Sequence, residues 1–399
     1  MPIPQSAEAT NLEALKREAM LEEYCVNARK NYRSPIIYAV EHKDMVMLHA
    51  LLDSKKVTIN DKFGNSDWSP LEWACEFNDV DSANMFLELG AEKTPRALLI
   101  AVKNKMTEIA DKLLAANVCA DATYYKDTTL ICAIRNGDLP TVTKLIDHGA
   151  NVNFSSDYYP TKTPIFFAVD YLQSDFNKGF EIINTLREHG SNLNAKCREY
   201  SGVENKNYDV TVALYFLSCL YEMRNKHSIT QADRDFVESL LKTGSNPNEN
   251  KYYGNTCLQY AAAIGDHDLC KLLISHGAKS YVKNGANKLP SDFAKGSNKI
   301  YLRLMEYIEK RSAKSDFQSV IPKTLTIFGH KINISKNEKI AAAKALLGIV
   351  ETKANLSTLD HQYDDALNNG DLGKIYAEYK KMLTPGSVQP KVMTSNCCM

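Results

Sequence analysis

This sequence has no excess of either charge. Lysine plus arginine and aspartate plus glutamate both come to 48, which leaves no global field to draw in nucleic acid or an acidic membrane. The ten cysteines contain no CxxC spacing, so the chain reads as a reduced, cytoplasmic protein without a disulfide framework. The N-terminus lacks the basic-then-apolar pattern of a signal peptide. No apolar run reaches membrane-spanning length; the best, Ile340 to Val350, is short and holds Lys344. There is no Gly-x-Ser-x-Gly, no phosphate loop and no kinase signature set, and no His, Cys, Asp or Glu cluster has metal-ligand spacing. These absences argue against an enzyme and predict no catalytic residues, no cofactor and no metal.

What the chain does have is a repeated interval. With 44% apolar and 24% charged residues over 399 positions, it is a folded chain of two- or three-domain size. An alanine is followed sixteen residues later by a glycine at Ala74–Gly90, Ala133–Gly149 and Ala261–Gly277, and by an asparagine at Ala101–Asn117. Glycine and asparagine are the residues that best end a helix in the left-handed conformation. Ser34-Pro35-Ile36, Ser69-Pro70-Leu71, Thr163-Pro164-Ile165 and Thr256-Cys257-Leu258 each open a unit. Leu87 to Ala91, Leu145 to Asn153 and Leu272 to Ala278 each close one.

These phrases resemble the ankyrin repeat, whose period is about 33 residues. The resemblance implies an all-α ankyrin-repeat solenoid of about eight helix-turn-helix units, opening near Ser34, Ser69, Ala97, Thr128, Thr163, Thr211, Thr256 and Leu289. The domains read as an N-terminal helical cap over 1–33, the array over 34–311 and a linker over 312–323, then a C-terminal helical module over 324–383 and a flexible tail over 384–399. Two units depart from the ruler. Between Ala168 and Gly190 the interval is twenty-two residues, which places an extra turn or loop near Tyr171 to Gly179. The sixth unit has a long turn, Cys197 to Asp209, and a lengthened inter-helix loop, Tyr221 to Asp233. Helix Ile300 to Arg311 is richly charged, as the exposed face of a closing repeat should be.

The C-terminal module is read as one β-hairpin, Leu325 to Ile334 around Gly329-His330, followed by helices opening at Ser335, near Thr358 and at Leu372. Its phrases Glu338 to Leu347 and Ala366 to Ile375 look like a C-terminal segment of effectors secreted by the type IVB (Dot/Icm) system of intracellular bacteria. That likeness implies delivery into the cytosol of a eukaryotic host.

An array of this family is a binding surface, so the expected function is a non-catalytic, monomeric adaptor that holds a host protein in its concave groove. Candidate contacts are the aromatics at the turns between units: Phe63, Trp68, Tyr124, Tyr125, Tyr158, Tyr159, Tyr252 and Tyr253. Tyrosine and tryptophan give large, rigid contact area at low entropic cost. One of each pair is expected to pack against its neighbour and the other to be free. Trp68, Tyr124, Tyr158 and Tyr252 are the first choices, then the insertions around Asp175 and Asn207. His148 and His276 precede helix-ending glycines, where an imidazole bonds the last carbonyls; His267 in its loop is read as structural too. Cys397 and Cys398 are a possible lipidation pair, which defines an alternative function as a lipid-tethered scaffold. A further alternative is an enzyme of unfamiliar type, with its chemistry in the C-terminal module and substrate selection by the array.

Overall fold

Each helix pair begins at a cap. Ser34, Ser69, Thr94, Thr128, Thr163, Thr211, Thr256 and Leu289 precede a first helix with extended backbone. The hydroxyls of Ser34, Ser69, Thr94, Thr128 and Thr211 accept the N–H three residues on, which satisfies one of the donors left open at a helix start. Proline follows the cap at Pro35, Pro70, Pro95, Pro164 and Pro290, where its missing N–H costs nothing. The third unit opens at Thr94-Pro95 and not at Ala97, which is buried inside the helix. The cap hydroxyl, rather than the small residue, sets the start.

The computed structural model describes residues 20–26, 34–54, 57–62, 67–124, 127–154, 162–201, 206–249, 254–312, 336–352, 356, 359, 363–368 and 370–383. The chain forms two compact units, residues 1–192 and 193–399. In the first, the helix pairs are α1 (Pro35–Glu41) and α2 (Met45–Asp53), α3 (Pro70–Glu76) and α4 (Val80–Glu88), and α5 (Pro95–Lys103) and α6 (Thr107–Ala115). They continue with α7 (Thr129–Asn136) and α8 (Leu139–Asp147), then α9 (Pro164–Tyr171) and α10 (Phe176–Glu188). A two-residue antiparallel ladder, β1 (Thr123–Tyr124) with β2 (Asp127–Thr128), leads into α7. Small residues sit where paired helices approach: Ala39, Ala74, Ala101, Ala133 and Ala168 have no exposed surface. Second helices stop at Gly90, Gly149 and Gly190 with φ between 82° and 88°, and at Asn117 with φ 56°. Glycine is free of a Cβ penalty in that region and asparagine tolerates it.

The second unit begins with a hairpin, β3 (Lys196–Ser201) and β4 (Lys206–Thr211), in antiparallel register from Lys196 opposite Thr211 to Ser201 opposite Lys206. The pairs α11 (Val212–Met223) and α12 (Gln231–Lys242), α13 (Cys257–Ile264) and α14 (His267–Ser275), and α15 (Pro290–Phe293) and α16 (Gly296–Ser312) follow. Then come α17 (Lys336–Thr352), α18 (Asp364–Asn368) and α19 (Gly370–Leu383). The expected hairpin at 325–334 and the cap Ser335 lie outside the described residues.

The irregular intervals resolve into regular structure. The surplus between Ala168 and Gly190 is taken up mostly by α10, which has 13 residues where the equivalent α4, α6 and α8 each have 9. The segment read as a long turn from Cys197 is the β3–β4 hairpin. In the sixth unit, part of the expected loop is helix, because α11 runs on to Met223.

The closing helix is not an exposed face. In α16, Ile300, Tyr301, Leu302, Leu304, Tyr307 and Ile308 are all buried, Leu302 and Leu304 completely. Helices α17 and α19 pack on it and bury Leu346, Ile349, Leu372, Ile375 and Tyr379. Two of the charges of α16 that suggested exposure are paired with a covering helix: Lys299 and Arg303 both meet Glu378 of α19.

The described cysteines are all free thiols. Cys75, Cys132, Cys257 and Cys270 are buried in helices, and burial pushes each thiol up to about 12. A thiol reacts as its thiolate. Iodoacetamide at pH 8 should therefore alkylate exposed Cys119 in the folded chain and leave those four unmodified until denaturant is added, as read by peptide mass spectrometry. Labelling of Cys132 at the rate of Cys119 would contradict this packing.

Candidate partner-binding surface

Two sets of hydrogen bonds hold successive units in register. At the loops, a side chain from one turn accepts a backbone N–H of the next. Asn60 Oδ1 takes Glu92 N–H at 2.8 Å, Asp121 Oδ1 takes Asn151 N–H at 2.8 Å and Asn153 Oδ1 takes Asn192 N–H at 2.6 Å. In the second unit Asn248 repeats the arrangement, accepting from Lys279 N–H at 2.8 Å and donating to Gly277 O at 2.8 Å. Along the first helices, Asn104 Nδ2 donates to Cys75 O at 2.8 Å and Asn136 Nδ2 to Val102 O at 2.7 Å. The repeated Asn-x-Asn phrases at 151–153 and 246–248 are the sequence signal for the loop ladder.

Within the first compact unit, this bracing presents a row of partly exposed side chains near the C-terminal ends of the first helices. Tyr38 lies 4.1 Å from the His42 ring, and Trp73 stacks on Phe77 with ring centroids 5.5 Å apart. Lys103 pairs with Glu76 at 3.3 Å. Further on, Arg135 pairs with Asp127 of β2 and Lys162 with Asp170 at 2.6 Å. Surface pairs of this kind contribute about 0–1 kcal/mol to stability each. They serve better as a charge pattern that selects a partner and speeds its encounter.

Of the predicted contacts, Trp68 is placed differently from the expectation. It is only 4% exposed and packs 4.9 Å from Trp73, so it belongs to the core of its own turn. The ring beside it, on the first helix, is the one that keeps exposed surface. Tyr124 lies on β1 opposite Asp127. Phe63, Tyr125, Tyr158, Tyr159, Tyr252, Tyr253, Cys397 and Cys398 lie outside the described residues. Asp175 caps α10, accepting Lys178 N–H at 3.2 Å, and Asn207 lies on β4 opposite Tyr200. His148 and His276 bond through Nδ1 to the carbonyls of Lys144 and Leu272, and so do His42 and His189 to Tyr38 and Thr185. His267 contacts Asn298 and the Tyr301 ring. These imidazoles tie helix ends and neighbouring helices together.

A family model for ankyrin repeats in three copies matches residues 98–197, and a second, for ankyrin repeats in many copies, matches 229–274. The helix pairs, their caps and their loop ladder run through and beyond both segments. The units within those two segments are ankyrin repeats. Curated relatives include the ankyrin repeat, SAM and basic leucine zipper domain-containing protein 1 of Equus caballus, 34% identical over 90 residues (22% of this chain, 19% of that one). Another is the potassium channel GORK of Arabidopsis thaliana, 32% identical over 99 residues (25% of this chain, 12% of that one). The chain thus spans less than a fifth of either relative. Among solved structures, the human ASB11 ankyrin repeat domain has 20% identity and a TM-score of 0.34, covering 69% of this chain and 98% of that one. The ankyrin repeat domain of Bcl-3 has 19% identity and a TM-score of 0.34, covering 67% and 97%. Among the described residues, no helix is long and apolar enough to cross a membrane, and no group of His, Cys, Asp or Glu is placed to hold a metal ion.

Proposed function

We propose that the chain is a non-catalytic adaptor that holds a protein partner on the first-helix face of its ankyrin repeats. One observation carries this reading: Trp73, Phe77, Lys103 and Arg135 keep exposed surface on, or at the end of, helices whose positions are fixed by inter-repeat hydrogen bonds. A preorganised aromatic and charged surface loses little entropy on binding. The C-terminal phrases Glu338 to Leu347 and Ala366 to Ile375 support a finer reading in which the partner is a eukaryotic host protein. On that reading the chain is a monomer delivered by a type IVB system into the host cytosol, with residues 324–399 serving export or a second contact.

The test is affinity capture from eukaryotic lysate with the full chain and a Phe77→Ser, Lys103→Glu variant, read by quantitative mass spectrometry. The expected result is a protein retained by the natural chain and depleted at least tenfold by the variant, with unchanged circular dichroism. Equal retention by both chains would remove the first-helix face from the function.

A further inference from the structure

Beside the row just described is a small cleft of about 330 Å³, lined by Arg135 at the end of α7 and by Lys162, Phe167, Asp170, Tyr171 and Ser174 on and around α9. It is at the small end of ligand sites, the size for one side chain rather than a cofactor. The buried Phe167 ring forms its base. The Arg135 guanidinium lies 4.8 Å from that ring's centroid and the Lys162 ammonium 4.9 Å, so both cations rest on one aromatic platform. Room for the cleft's aromatic wall comes from Gly137. A Cβ there would lie 1.9 Å from the Tyr171 hydroxyl, and its φ of 66° already favours glycine.

The donor-only capacity left in the cleft is that of Arg135, and the Tyr171 and Ser174 hydroxyls can donate or accept. Arg135 engages Asp127 through one terminal nitrogen, which leaves further N–H groups of a five-donor guanidinium. Among the described residues, the Tyr171 and Ser174 hydroxyls have no hydrogen-bond partner. Asp170, the one carboxylate on the lining, is engaged by Lys162 at 2.6 Å. A group that only accepts, and that gains from a charge-assisted bond to arginine, is a carboxylate. The charges of Arg135, Lys162, Asp127 and Asp170 sum to zero, so there is no net field for a dianion such as phosphate, and an anion is held only by the local charge-assisted bonds that Arg135 can still donate. Glutamate and aspartate side chains have the required size, charge and acceptor geometry.

We infer that this cleft is an anchor site for a carboxylate side chain of an acidic peptide segment in the partner, with Arg135 as the principal ligand. The inference rests on the adaptor reading and names the chemistry of what the adaptor holds.

Random linear peptides displayed on phage would be selected on the full natural chain, and one recovered peptide labelled for fluorescence anisotropy. The expected outcome is an Asp or Glu fixed at one peptide position. Arg135→Gln should weaken that peptide about tenfold or more, the scale of one charge-assisted bond. Arg135→Glu should reselect Lys or Arg at the same position. Lys162→Gln, expected to weaken the peptide in the same direction, keeps the test decisive if an Arg135 variant fails to fold. Recovered peptides without a fixed acid, or with affinity unchanged by Arg135→Gln and Lys162→Gln, would overturn the anchor. A fixed basic residue in peptides bound by the natural chain would overturn it too, assigning the cleft to Asp170. If no peptide is recovered while the lysate partner is still retained, the anchor is wrong and the adaptor reading stands. If neither is retained, both fall.

Discussion

A chain ended after Arg311 is expected to melt at a lower temperature and to self-associate. Helix α16 is the second helix of the last helix pair before α17, and a closing repeat ordinarily turns a polar face to water. Here Leu304, Tyr307 and Ile308 are among the side chains buried in a helix covered by α17 and α19. Re-exposing three large apolar side chains costs about 5–9 kcal/mol at about 1.5–3 kcal/mol each, as an upper bound. That is a large part of the about 5–15 kcal/mol that separates a typical domain from its unfolded state. The ion pairs lost at the same time, Lys299–Glu378 at 3.2 Å, Arg303–Glu378 and Lys271–Glu351 at 3.8 Å, are partly exposed and add little. Thermal melting followed by circular dichroism, with sedimentation of the same samples, checks this. A truncated chain that melts with the full one and stays monodisperse would mean that α17 and α19 do not share the core of the last repeat.

Phe236→Ala should cost about 3–5 kcal/mol, as much as the same change in the most regular units. Phe236 on α12 and Phe216 on α11 are both completely buried and meet edge to face, with centroids 5.0 Å apart at 84°. Such pairs add about 0.5–1.5 kcal/mol to the area that they bury. Truncating one ring leaves a cavity between two helices that cannot close on it. Phe86→Ala in the second repeat is the natural comparison, since Phe86 is equally buried. Urea denaturation of both variants checks the prediction. A cost below about 1 kcal/mol for Phe236→Ala alone would mark the sixth repeat as loosely packed, as its irregular spelling suggests it should be.

Most of the repeat architecture was legible because its signals are short-range. A hydroxyl that caps a helix acts on an N–H three residues away, so Ser69 and Thr128 could be read without knowing what packs above them. The glycine or asparagine that ends a second helix answers to its own φ, and Gly149 and Asn117 do so at 85° and 56°. Thr94-Pro95 carries the same signal three residues before Ala97, near which the sequence reading opens the third unit; the cap, being the nearer cause, decides. The histidine bonds to helix-end carbonyls were readable for the same reason, since donor and acceptor are four residues apart at His148 and Lys144.

The sequence by itself determined the period, the caps, the helix-ending residues, the free thiols and hence the ankyrin class, because each depends on a few neighbouring residues. Only the tertiary structure decided which surfaces face water. Trp68 at a turn is buried and Trp73 on a helix keeps exposed surface, because burial depends on what packs over a residue and not on its place in the repeat. Charge on α16 did not predict exposure, because a helix can pair its lysine and arginine with a neighbouring helix while burying its apolar side chains. In the Arg135 cleft, Arg135 stands 27 to 39 positions before the other lining residues and is brought to them by the stacking of one helix pair on the next. No local pattern records that juxtaposition, since it exists only when α7 and α9 lie side by side.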